Sequence, residues 1–85
     1  MKIGTIVRNM YQPSIESLIV YRGVSGQYAD VIWLLDGKVL FGHKFYKGDI
    51  LNDREHFPIV GLVDVEKLVR DAVREAVKCN ADIAD

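Results

Sequence analysis

The sequence predicts a small, mainly β domain that ends in one amphipathic helix, an α+β chain, on three observations. An Asp-Gly pair at positions 36 and 37 lies between two apolar runs, short β-branched and aromatic runs recur with turn residues between them, and from Val65 onward the apolar residues switch to three-to-four spacing. A length of 85 residues holds one domain. Such a domain buries only about 60% of the surface its unfolded chain exposes, so it has little stability to spare. With 49% hydrophobic and 27% charged residues and no repeat or low-complexity tract, the composition is that of a folded chain.

The first strand is read from Ile3 to Arg8, and the loop after it, Asn9 to Ser14, contains Pro13, which removes a donor and biases Gln12 away from helix. The run SLIVYR, Ser17 to Arg22, is the second strand, and Gly23 to Gly26 connects it to a third, Tyr28 to Leu35. Asp36-Gly37 suits a type I′ turn, because both central residues need positive φ. A two-residue turn fixes the register: Leu35 faces Lys38, Leu34 Val39, Trp33 Leu40, Ile32 Phe41, Val31 Gly42, Asp30 His43, and Tyr28 Phe45. The face with Ile32, Leu34, Val39, Phe41 and Phe45 is then the expected core. The other carries Ala29, Val31, Trp33, Leu35 and Leu40, but also Lys38, Gly42, Lys44 and Tyr46. Gly42 opposite Val31 would let a second backbone or a ligand come close. Asp49 to His56 reads as a charged connector before Pro58, and Ile59 to Val63 as the last short strand. Asp64 is placed to cap a helix over Val65 to Cys79, with Glu66 in its first turn, and the tail Asn80 to Asp85 is expected to fray. The expected organisation is one domain, with a sheet over residues 1–63 and the helix, 64–79, packed on it.

Two stretches carry a resemblance. The opening KIGTIVRN is similar to the Gly-x-x-Val start of many SH3-like small β-barrels, and VIWLLDGKVLFG resembles their central hairpin; the likeness spans about residues 1–63. It implies a five-stranded SH3-like small barrel followed by one helix. Barrels of this kind often occur as orphan products of prophages and other mobile elements, which the resemblance implies as an origin. It implies no particular activity, since this fold class hosts many.

Several function classes are disfavoured by composition. A net charge of −1 and a pI near 6.1 supply no global positive field to gather phosphates. The single Cys79 has no internal partner, which suits a reducing compartment. Gly4, Thr5 and Arg8 interrupt any apolar leader, and no run approaches the roughly 18 apolar residues of a spanning helix, so a cytoplasmic protein without membrane contact is expected.

The candidate binding surface is Trp33 and Tyr46 with Lys38, Lys44 and Lys47, joined by Tyr21 and Arg22. Aromatics between cations suit a protein partner, where Trp, Tyr and Arg supply most hot spots, or a single strand of nucleic acid, whose bases stack on rings. Against this stands the expectation that the C-terminal helix covers Trp33 with Val31, Leu35 and Leu40, because its stripe needs an apolar surface. Asp49, Asp53, Glu55 and His56 are rich in oxygen ligands but match no calcium or zinc spacing, so they read as a solvated loop and no metal is expected. Asp30 and His43 read as a cross-strand polar pair. With no nucleophile motif and no phosphate-cradling glycine loop, neither an enzyme nor a cofactor is expected. The sequence thus points to a non-catalytic adaptor or inhibitor that binds a protein through the hairpin face or an exposed strand edge. The alternative is a single-stranded nucleic-acid-binding barrel, and a homodimer sharing the helix would also suit so small a domain.

Overall fold

A computed structural model describes residues 1–12 and 14–84, with side chains described as far as Ala76. Among the described residues the order is β1 (Thr5–Arg8), β2 (Ser17–Ser25), β3 (Tyr28–Leu35), β4 (Lys38–Tyr46), α1 (Lys47–Asn52), β5 (Ile59–Leu62) and α2 (Val65–Ala84). The strands form one antiparallel sheet in the order β4-β3-β2-β1-β5. The mainly β, α+β class is the one the sequence predicts. The sheet is open where a closed barrel is expected: among the described residues β4 pairs only with β3 and β5 only with β1, so both are edges. The side chains of the tail expected to fray, Asn80 to Asp85, lie outside the described residues.

The hairpin forms as its turn chemistry demands, with φ of 49° at Asp36 and 82° at Gly37. Its register matches expectation from Leu35–Lys38 through Trp33–Leu40 and then departs. Gly42, at φ 76°, absorbs an extra residue, so that Phe41 and Gly42 together stand opposite Ile32. Beyond this bulge Val31 faces His43, Asp30 faces Lys44, Ala29 faces Phe45 and Tyr28 faces Tyr46. Because strand side chains alternate, the single extra residue moves His43 and Phe45 to the Trp33 face and sends Lys44 and Tyr46 to the other. The expected Asp30–His43 pair is replaced by Asp30 and Lys44, at 3.9 Å. A second bulge, at Arg22 and Gly23 (φ 119°), lets β2 continue to Ser25 rather than end at Arg22.

Both faces of the sheet are covered, which explains why β3 is apolar on both sides. On one face Val7, Ile19, Tyr21, Ala29 and Val31 are buried with Ile50 of α1 and Phe57, and Trp33, Phe45 and Leu51 pack around them. This face, rather than the Ile32 face, holds the larger cluster. Its cover is α1 and the segment after it, where the sequence reads as a solvated connector. On the opposite face Val20 and Ile32 are fully buried, with Ile6, Leu18 and Leu34 half-buried. Here α2 supplies the cover. Its Val65 methyl lies beside Gly4, Ala72 and Ala76 lie beside Val39 and Phe41, and Leu68, Val69 and Ala72 are half-buried. The C-terminal helix therefore lies across the Ile32 face and not across Trp33. Asp64 caps it as expected, its Oδ1 accepting the Lys67 N–H at 3.2 Å.

The turn after α1 is tied by Asp53, which accepts the His56 backbone N–H at 3.1 Å through one oxygen and meets His56 Nδ1 at 2.9 Å through the other. Tyr11 stacks on the His56 ring at 4.5 Å, which ties the first loop to this turn. The His56 backbone N–H bond holds the Asp53 carboxyl below its ordinary value of 3.8, outweighing an opposing push from desolvation, and His56's side chain adds to the lowering. A carboxyl with a lowered folded pKa stabilises fully above its unfolded value and loses that contribution as pH falls through the folded one. Asp53→Asn is therefore expected to flatten the fall in melting temperature as the pH drops below about 4, while removing stability at pH 6. Melts across that range check it, and an unchanged acid limb would show that Asp53 carries no linkage.

Candidate functional site

The residues singled out in the sequence divide between the interior and the β4 edge. Trp33 is half-buried, its Nε1 donates to Ser17 Oγ at 2.7 Å, and its ring stands edge-on to His43 at 5.3 Å and Phe45 at 5.5 Å. Tyr21 is buried in the same cluster. Tyr21 is therefore closed to stacking, and Trp33 is partly covered by its neighbours. Lys38, Lys44 and Tyr46 are exposed along β4, Tyr46 at 53% with its ring against Gly48. Lys47 is half-buried at the start of α1, its N–H donating to the Gln27 carbonyl at 3.1 Å. Arg22 is exposed at the β2 bulge.

Two hollows flank this edge. One, of about 310 Å³, is lined by Arg22, Asp30, Val31, Gly42, His43 and Lys44, and opens where the two bulges bend β2 and β4 around β3. The other, of about 380 Å³ and mostly apolar, lies between the hairpin end and α2, lined by Gly37, Val39, Phe41, Ala72, Glu75 and Ala76. Between them runs β4, nine residues long, with only Leu40 and Phe45 half-buried and the rest exposed. The structure thus brings together Arg22 and Lys44, and sets Lys38, Lys47 and Tyr46 along the same edge, but it separates all of these from Trp33 and Tyr21.

Val39, Phe41 and His43 belong to this surface and were not among the residues the sequence singled out. Phe41 reads as core from alternation, and it is 44% exposed because the face it joins ends at the edge strand. The signal for His43 was Gly42, whose bulge turns the histidine from Asp30 toward Trp33. The acidic connector does not assemble: among the described residues no group of three or more His, Cys, Asp or Glu is placed to hold a metal ion. Among them, too, no helix is long and apolar enough to cross a membrane. No protein-family model, no curated protein and no solved structure matches this chain.

Proposed function

We propose that the protein is a non-catalytic binding module, an adaptor or inhibitor that takes an extended segment of a partner protein along β4. One observation carries this reading: a nine-residue edge strand whose outer side is unpaired, with Val39 and Phe41 exposed beside an apolar groove. Such an edge offers a row of backbone donors and acceptors for an added strand, and the groove offers a place for its side chains. The other edge, β5, has four residues, and a very short edge is one way proteins blunt this tendency. Lys38 and Lys44 along β4 give the edge a positive charge that favours a partner of opposite charge. The strand order, with the hairpin strands on one side and β1 paired to β5 on the other, supports the likeness to an opened SH3-like barrel.

Single-stranded nucleic acid is the weaker reading, because Tyr21 is buried and Trp33 half-buried, which leaves Tyr46 as the exposed ring among these three. The test is capture from lysate at low salt, with and without nuclease, on wild type, Phe41→Lys and Leu62→Lys. A stoichiometric protein that survives nuclease and binds Phe41→Lys at least about tenfold more weakly supports the β4 edge. Loss with Leu62→Lys alone would move the site to β5, and nuclease-sensitive recovery would move it to nucleic acid.

A further inference from the structure

We infer that the hollow between the two bulges is a binding site for a single oxyanion, a phosphate or a carboxylate, held by Arg22 and Lys44. Its residues come from three adjacent strands: Arg22 from β2, Asp30 and Val31 from β3, Gly42, His43 and Lys44 from β4. The shape follows from the glycines. In a regular ladder Arg22 and Lys44 would be ordinary neighbours of β3, but an extra residue on each flanking strand bends both at Asp30 and Ile32 and leaves a concavity. Gly42 takes φ 76°, the positive backbone angle that the bulge on β4 uses.

The charges do not cancel. Two fixed cations, Arg22 and Lys44, line the hollow with one carboxylate, Asp30. Asp30 meets Lys44 at 3.9 Å, a loose contact between side chains 45% and 57% exposed, and among the described residues Arg22 makes no ion pair. The guanidinium therefore keeps its planar fork of donors for an incoming anion, the geometry that carboxylate and phosphate accept in pairs. His43 adds no ring to this wall, because its side chain is turned to the opposite, Trp33 face of the sheet. A local surplus of positive charge on a chain of net charge −1 favours an anion here over elsewhere on the surface. A volume of about 310 Å³ is at the floor of the roughly 300–1,000 Å³ range of ligand sites, which suits one small group rather than a nucleotide or cofactor.

Asp30 makes the inference separable from a merely structural charge row. If the row exists for stability, neutralising Asp30 weakens the fold slightly and does nothing for anions. If the hollow is an oxyanion site, Asp30 competes with the ligand, and Asp30→Asn tightens binding while Arg22→Ala weakens it on the order of tenfold. The experiment is an amide NMR titration of the intact chain with inorganic phosphate and, separately, with acetate, at constant ionic strength made up with chloride. Saturable shifts clustered at Arg22, Asp30, Gly42, His43 and Lys44, reduced in Arg22→Ala and enhanced in Asp30→Asn, are expected, and the tighter of the two anions names the chemistry. Shifts spread evenly over all lysines, no saturable shift, or a response unchanged by both substitutions would overturn the inference. The outcome is independent of strand addition on β4, because the titration contains no partner segment and neither Val39 nor Phe41 lines the hollow.

Discussion

Replacing Ile50 with alanine should lower the melting temperature by more than about 10 °C, the largest effect expected of any single substitution in α1. Ile50 is fully buried, and it is the side chain through which a six-residue helix reaches the core of the sheet. Cutting a buried isoleucine to alanine costs about 2–5 kcal/mol through lost transfer energy and the cavity left behind. In a domain of this size each kcal/mol moves the midpoint by about 4–8 °C. The helix has little of its own to resist the loss: it is less than two turns long, and the residue at its N-cap, Tyr46, makes no side-chain capping bond. Asn52→Ala, exposed on the same helix, should stay within about 0.5 kcal/mol. Thermal and urea melts of the pair decide it, and equal effects would mean that α1 does not seat on the sheet.

Gly4→Ala should be nearly as damaging, on the order of 3 kcal/mol, and its damage should be local to β5 and α2. Gly4 adopts φ 97°, and a β carbon there would collide with the Val63 carbonyl. The same glycine donates its N–H to Tyr21 at 2.8 Å and accepts from Val63 at 2.9 Å, so it joins β2 to the end of β5 where the chain turns into α2. Gly26 supplies the control. It also has positive φ, 64°, but its missing side chain faces open space, so alanine should cost only about 1 kcal/mol. Urea midpoints for the two variants, with amide spectra of Ile59 to Leu62, would test the contrast; if Gly4→Ala behaves like Gly26→Ala, the close approach to Val63 is absent.

Much of the fold was legible because it rests on local chemistry. Asp36-Gly37 dictated a turn that sterics allow few other pairs to make, and it carried the register as far as Leu40. The spacing from Val65 marked α2 because an amphipathic stripe repeats over many turns. What was not legible depends on long-range choices. Gly42 announces freedom, but whether that freedom becomes a close approach or a bulge is settled by what the flanking strands must bury, and the bulge delivers Phe45 to Trp33 and Phe57. Lys47 to Asn52 is too short to show helical periodicity and contains Gly48, so its charges read as a loop while Ile50 and Leu51 went uncounted as core. With both faces of β3 apolar, alternation alone could not say which cover lay where. Of the proposed binding residues, the cations Arg22, Lys38 and Lys44 and the ring of Tyr46 are exposed as the sequence reads them, whereas Tyr21 and Trp33 are claimed by packing.

The placing of β1 between β2 and β5 has a bearing on how the chain reaches this state. The three hairpin strands are joined by turns of two residues, so they can meet at little entropic cost and early. The first strand made is among the last to be enclosed: its outer side waits for Ile59 to Leu62, more than fifty residues away, and α2 can cross the sheet only after that pairing closes. A chain emerging from the ribosome would thus hold β1 half-paired until Ile59 to Leu62 had followed it, and the last-formed seam, at Gly4 and Val63, would be the first to open.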